Sequence, residues 1–303
     1  MSFVVLNAGL SVVRNKGIDT AQGKYLFFLD SDDVITPDCI EIMVEIAEKE
    51  QLEMVVGNTI MLNLSDGREK DFFRVNSSQN IITNNEEVFR AFIEGRYTSS
   101  SWNKLVLLDF IRKNQLYFTK GLFAQDELQS FQTALVLNRL GFVDFDKTTL
   151  YYFLHSKSVI HNRNKRNFDN WFTIGQYIDK ALHEEKKEER KKLILKYLID
   201  FKTLTLQMNW KAQKSEKLWK ESYNNYKTLS SLSILDYFSC KFSKETKKIV
   251  SLIIYLRIWV FKFLRSVGEN KKAFIQSLFI FIIYNNIDYF LSLNLVVGTS
   301  KYL

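Results

Sequence analysis

The chain has few of the residues that build disulfide or metal scaffolds. Its 303 residues include two cysteines, Cys39 and Cys240, and three histidines. Two thiols so far apart make no disulfide framework and suit a reducing cytoplasm. His155 and His161 lack metal-ligand spacing and read as structural or exposed. No zinc-finger spacing or RNP-like motif points to nucleic acid. Long apolar runs are also scarce. Ile249–Leu264 is broken by Arg257 and Lys262, and Phe274–Leu293 by Asn285, Asn286 and Asp288. Neither supplies the ~18–20 apolar residues of a plain membrane span. The N-terminus lacks the charged and apolar segments of a signal peptide, and no internal repeat is visible. The single proline, set among many Lys, Asn, Ile and Phe, looks like the bias of an AT-rich bacterial genome.

What remains is the composition of a globular protein: 46% hydrophobic and 25% charged, long enough for a large core and two regions. The net charge is +8 and the pI about 9.2, with the lysine excess in the second half. Such a surface suits nucleic acid, anionic lipid or an anionic donor; the first has no motif behind it.

The most informative stretch is Lys24–Asp38, KYLFFLDSDDVITPD. Tyr25-Leu26-Phe27-Phe28-Leu29 reads as a strand buried on both faces. It ends in Asp30-Ser31-Asp32-Asp33. Three carboxylates crowd there at a cost unless something positive sits among them. Strand ends of this kind are where α/β sheets bind ligands. The pattern points to a divalent metal held by hard oxygen ligands and open to a phosphate-bearing substrate.

Upstream, Asn7-Ala8-Gly9-Leu10-Ser11 leads to Arg14-Asn15-Lys16-Gly17-Ile18 and Ala21-Gln22-Gly23-Lys24-Tyr25. The ordered pattern N-x-G-L-S-x-x-R-N-x-G-I-x-x-A-x-G-x-Y-L-x-F-L-D-S-D-D resembles the family 2 glycosyltransferases, inverting enzymes of the GT-A fold. Downstream, Trp102-Asn103-Lys104-Leu105, Gln125-Asp126-Glu127 and Tyr151-Tyr152-Phe153…Ser158-Val159 follow in the family's order. The resemblance covers about Phe3–His161.

It implies an α/β fold, a GT-A-like partial Rossmann-type sheet over residues 1–165, followed by a helical region over 166–303. It also implies sugar transfer, of hexosyltransferase type, from a nucleotide-diphosphate sugar to a glycan or lipid-linked acceptor, with inversion. Bacterial surface polysaccharide biosynthesis is the setting the resemblance suggests. The strand–helix–strand segment that precedes the motif in the family has no counterpart before Phe3-Val4-Val5-Leu6. An incomplete gene model and a truncated, non-catalytic remnant acting as a binding protein are the two explanations of that gap.

Carried over residue by residue, the resemblance makes Asp32 the metal ligand, with Asp30 supporting it or facing the ribose, and Mn²⁺ or Mg²⁺ the cofactor. Asp33 orients the loop or caps the turn. Asn7 and Gly9 approach the donor. Arg14 meets a phosphate or pairs with an acid of the cluster. Asp126 is the general base, with a plain helix N-cap as its bland alternative; Gln125 departs from the family's usual Glu. Glu127 is the acidic neighbour on the acceptor side. Trp102 stacks on an acceptor sugar or belongs to the core, and Lys104 offsets diphosphate charge or lies on the surface.

Elsewhere, Thr36-Pro37-Asp38 suits a helix start, and Ile40, Met43, Val44 and Ala47 share one face of a helix to about Glu50. Cys39 reads as core. Leu52–Leu62 reads as one strand, Ser65-Asp66-Gly67 as a turn and Arg68–Asn80 as a polar stretch. Asn84–Glu94 and Leu128–Arg139 read as helices, Val143–Leu154 as a strand, and Tyr223–Leu235 as a loop. The run HEEKKEERKK reads as a solvated helix face. The apolar C-terminal stretches suit a buried helical pair, an interfacial anchor with Arg257, Lys262 and Arg265 toward lipid phosphates and Trp259, Phe261 and Phe263 inserted, or a spanning hairpin. The expected location is cytoplasmic, with peripheral contact at the inner face of the plasma membrane as the membrane-associated option.

Overall fold

The computed structural model describes residues 9–75, 80–154 and 163–232. The readings that fall on Phe3–Leu6, Asn7, His155, Ser158, Val159, His161, Cys240 and both C-terminal apolar stretches lie outside the described residues, as does the loop beyond Leu232.

Gly9 opens helix α1 (Leu10–Thr20), with a φ of 79° that disfavours any residue with a Cβ. Its carbonyl accepts from the N–H groups of Val12 and Val13. Next come strands β1 (Tyr25–Phe27) and β2 (Val34–Ile35), then helix α2 (Cys39–Lys49). Strands β3 (Met54–Val56), β4 (Thr59–Asn63), β5 (Glu69–Phe73) and β6 (Ile81–Ile82) lead to helix α3 (Asn85–Ile93). Strand β7 (Lys104–Leu107) runs into α4 (Leu108–Lys113). Helix α5 (Gln125–Val136) and strands β8 (Leu140–Phe142) and β9 (Leu150–Leu154) follow. Helices α6 (Lys165–Glu184), α7 (Glu188–Gln213) and α8 (Glu216–Tyr226) come last. This is the expected α/β chain with a helical C-terminal region.

The strands form two mixed sheets, in the orders β1-β7-β3-β8-β6 and β2-β9-β4-β5. β7 runs antiparallel to both β1 and β3, while β3 and β8 are parallel. The C-terminal ends of β1 and β3 therefore share one edge with the N-terminal end of β7. β1 is not buried on both faces as its apolar run suggested. All three of its residues are half-buried and Leu29 is 47% exposed. Among the described residues β1 has one ladder partner, β7, and lies at the edge of the sheet they form.

Leu52–Leu62 is two strands rather than one. The chain leaves the first sheet after Val56 and enters the second at Thr59. A Cβ at Gly57 would collide with the Thr149 side chain, so glycine leaves room for the threonine hydroxyl at the crossing. Of the expected strand Val143–Leu154, Leu150–Leu154 forms β9, while β8 ends just before it at Phe142; the polar stretch after Gly67 contains β5.

Val55 and Leu105 face α2, where they bury against Cys39, Met43 and Ala47. Ile40, expected on that face, is 39% exposed. The buried stripe follows positions 39, 43 and 47, one turn apart. Thr36 does not cap α2: the N-cap is Asp38, with no side-chain hydrogen bond. The Thr36 hydroxyl donates instead to the Thr148 carbonyl. Asn84 does cap α3, accepting from Glu87 N at 2.9 Å. Phe89 of α3 meets Phe131 of α5 edge-on.

Contacts divide the chain into two compact units, Met1–Ile178 and Asp179–Leu303. In the second, α7 packs on α8. Buried Lys202 donates to the carbonyls of Leu229 (3.3 Å) and Ser230 (3.1 Å), and Asp179 accepts from Ser230 N. The charged run is broken at 185–187 between α6 and α7 and carries exposed pairs such as Lys191–Glu188 and Lys192–Glu189. Pairs so exposed contribute little. Among the described residues no helix is long and apolar enough to cross a membrane.

Candidate active site

The acid cluster leaves the C-terminal end of β1. Across the same edge lie the 99–103 segment before β7 and the first turn of α5. Helix α1 supplies the inward-facing Ser11, Arg14 and Asn15, all buried. Three and four residues apart, they line one helix face. Asn15 clamps the backbone of Phe118, donating to its carbonyl (2.9 Å) and accepting from its N–H (2.8 Å). The Ser11 hydroxyl shares the Thr119 carbonyl and the Gln125 side chain. Arg112 of α4 holds the other end of α1, donating to the carbonyls of Ile18, Asp19 and Ala21, where a cation also suits the helix dipole.

That scaffold fixes Arg14. Its guanidinium donates to Asp30 Oδ1 at 2.9 Å and to Asp126 Oδ1 at 2.5 Å. Its Cζ lies 5.7 Å from the Phe28 ring centroid and 5.2 Å from that of Phe118. The planar cation is thus held by aromatic rings and presents one terminal nitrogen to each acid. Of the two alternatives for Arg14, the structure realises pairing with an acid. It is the positive group that the crowded carboxylates required. Burial pushes the Asp30 carboxyl up from its ordinary pKa, and Arg14 pulls against that shift.

Asp126 is 24% exposed, and its second oxygen accepts from Ser101 N at 3.3 Å. It is no N-cap: that position is Ala124, in the left-handed region at φ 55°. Asp126 lies inside the first turn and reaches back across the edge, so both carboxylate oxygens have a donor and the group's plane is set. Glu127 is only 3% exposed, turned inward rather than toward an acceptor.

Asp32 is exposed and Asp30 about one-third exposed. Asp33 is buried, and its Oδ1 accepts from Phe153 N at 3.1 Å. Burial pushes its pKa up to about 7. It ties the acid loop to β9 and takes no place beside the other two. Among the described residues no group of three or more His, Cys, Asp or Glu is placed to hold a metal ion.

Two expected contacts lie elsewhere. Trp102 is 7% exposed and stacks on Tyr152, with centroids 5.4 Å apart and planes 4° from parallel. Phe72 packs on both rings, so Trp102 is core. Lys104 is 5% exposed and lies beneath the edge, its ammonium donating to Ser100 O and Asn103 Oδ1. It is neither on the surface nor placed for a diphosphate. The sequence pattern assigned no part to the Ser101 N–H or to Phe28 and Phe118. The serine run before Trp102 was the visible signal for the first; nothing local marks Phe118.

The model of glycosyl transferase family 2 matches residues 5–103, a stretch that includes Gly9, Arg14 and the acid cluster and stops before Asp126. EpsH of Bacillus subtilis (strain 168), which carries a provisional glycosyltransferase name, is 29% identical over 223 residues. That stretch is 72% of this chain and 63% of EpsH. YibD of Escherichia coli (strain K12), an uncharacterised glycosyltransferase, is 28% identical over 167 residues, 54% of this chain and 48% of its own length. The structure of S. aureus TarS 1-349 with UDP-GlcNAc matches with a TM-score of 0.52 at 16% identity, over 72% of this chain and 61% of that one. The last likeness shows the same α/β architecture, the GT-A type expected from the sequence. The chain spans less than two thirds of the length of each of these proteins. Over residues 5–103, this chain is similar to glycosyl transferase family 2.

Proposed function

We propose that the protein transfers a sugar from a nucleotide-diphosphate donor to a glycan or lipid-linked acceptor, inverting the anomeric centre. One observation carries this reading: a single guanidinium joins Asp30, at the end of β1, to Asp126, at the head of α5. A donor-side acid and an acceptor-side acid thereby occupy one sheet edge. TarS, crystallised with UDP-GlcNAc on the same fold, supports a nucleotide-sugar donor.

Asp126 takes the proton of the acceptor hydroxyl. The acceptor oxygen bonds to the anomeric carbon as the bond to the diphosphate breaks, and that electron pair leaves with the diphosphate. Arg14 and Ser101 N–H hold the base in place. Exposed Asp32 and partly exposed Asp30 offer the hard oxygen ligands that suit Mn²⁺ or Mg²⁺. Such ions take one or two protein carboxylates and complete their shell with phosphate and water, so a three-residue protein cage is not required. When bound, the ion supplies positive charge to the departing diphosphate. A surface polysaccharide as acceptor rests on the sequence resemblance.

The reading is tested by calorimetric titration of the full chain with UDP-, GDP- and dTDP-sugars, with and without Mn²⁺. Metal-dependent binding of one donor is expected, weakened about tenfold or more in Asp32→Asn. Equal binding by the variant contradicts the metal assignment.

A further inference from the structure

Lys104 was expected at the donor, yet it is buried behind the base. It opens β7, where strand alternation turns Lys104 and Val106 toward α5 while Leu105 faces α2. Its ammonium donates to Ser100 O and Asn103 Oδ1, at opposite ends of a short loop. Between them stands Ser101, whose N–H holds Asp126 Oδ2. Asn103, fully buried, extends the lock to β3: its Nδ2 donates to Gly57 O (3.2 Å) and its carbonyl accepts from Gly57 N (2.8 Å). The Ser130 hydroxyl of α5 fastens Ser99 O at 2.7 Å.

A small cavity adjoins the ammonium, lined by Phe28, Tyr97, Ser101, Lys104 and Ser130. The hydroxyls of Tyr97 and Ser101 are buried there without a protein hydrogen-bond partner. A buried cation with three donors and two neighbouring hydroxyls makes a polar pocket that suits an ordered water.

We infer that Lys104 is a positioning residue for the base, whose charged ammonium locks the 99–103 loop and thereby sets the Ser101 N–H against Asp126. The inference rests on Asp126 being the base. The charged form is the one that matters: its charge strengthens both bonds, and its third N–H is left for the adjoining polar pocket, whereas a neutral amine spends both of its weaker donors on the two acceptors. Burial pulls the Lys104 pKa down to about 7, with Asp126 and Glu127 of α5 opposing that shift. Tyr97 faces it from the α3–β7 connection, and Arg14 of α1 lies beyond Asp126. The lock therefore carries its full charge only well below pH 7, is half charged near that value and is lost as pH rises above it.

The test is NMR of the full chain carrying ¹⁵N backbone and ¹³C-ε lysine labels, with Lys104→Met, Lys104→Arg and an exposed control, Lys24→Met. One lysine signal, missing from both Lys104 variants, should titrate near pH 7, against about 10.4 for ordinary lysines. In Lys104→Met the Ser101 amide should lose protection from exchange about tenfold, with β3 and β8 amides unchanged. With a transferable donor, kcat should fall about tenfold or more at unchanged donor KM. Lys104→Arg, which stays charged, should restore part of kcat and lift the decline above about pH 7. A Lys104 signal already neutral at about pH 6, or an undiminished Ser101 protection in Lys104→Met, overturns the inference. Should Lys104→Met fail to fold, the titration and Lys104→Arg decide. Transfer that proceeds with Ser101 protection unaltered defeats this inference and leaves the proposed function standing. The NMR arms decide it even where no donor is turned over.

Discussion

Arg14 is the residue on which the site turns. The resemblance singled it out, but its partners lie 16 and 112 positions away, and no local pattern names them. Only the packing of α1 against 117–119 aims the side chain. Replacement by lysine keeps the charge and loses the bridge, since one ammonium nitrogen cannot stand in for two terminal nitrogens held in fixed directions. Arg14→Lys should lower transfer about tenfold or more. Arg14→Met should also cost about 2 kcal/mol of stability, read by urea unfolding. That figure is below the cost of breaking a fully buried pair because both acids are partly exposed. An Arg14→Met protein with unchanged stability and turnover would contradict the bridge. Trp102 teaches the opposite lesson. Its motif position pointed to a sugar, yet Tyr152 and Phe72 claim its ring, and neither neighbour is local in sequence.

Among the elements, those with local signals were legible. The α3 cap at Asn84, the α2 helix and the acid loop at a strand end all follow from neighbouring residues. The break between β3 and β4 does not, because LEMVVGNTIML is largely apolar and its interruption depends on Thr149, ninety-odd positions on. Helix α1 was hidden inside a motif read for chemistry, although Gly9 marks its start. Gly57→Ala should destabilise the first unit by about 1–3 kcal/mol, as overpacking does. Thr149→Ala, which removes the hydroxyl at the collision, should recover part of the loss in the double variant. Unfolding curves of the two single variants and the double variant measure the coupling, and additive losses would contradict the close crossing.

At the scale of the whole molecule, the class was readable and the topology was not. Strand order arises from pairings such as β1 with β7 and β4 with β9, which join residues some eighty to ninety positions apart. Each unit also buries a lysine: Lys104 in the first and Lys202 in the second, with burial pulling Lys202 down to about 8. The unfolded chain keeps its lysine protons to about pH 10.4. Between the folded and unfolded values the unfolded state binds more protons, so stability from these groups rises with pH. The penalty is complete below about 7 for Lys104 and about 8 for Lys202, and is relieved above those values. The Tm of the wild type should therefore gain on that of a Lys104→Met, Lys202→Met double variant from pH 7 to 10. Parallel curves by scanning calorimetry would contradict the buried, charge-averse sites. The site itself was legible in its acids and hidden in its connections. Asp30, Asp32 and Asp126 stood out by type and order, whereas the inward turn of Asp33 and Glu127 and the descent of Lys104 are products of packing.

The measurement that bears most directly on the central claim compares donor binding and sugar transfer in Asp126→Asn. With the donor that the full chain binds, the variant should keep wild-type affinity within about threefold while transfer falls by about 10³ or more, the loss of a general base and its placement. Asn keeps one accepting oxygen, toward either Arg14 or Ser101, and takes no proton from the acceptor. Transfer near the wild-type rate would remove Asp126 from the chemistry, and with it the catalytic role of the guanidinium that joins the two acids.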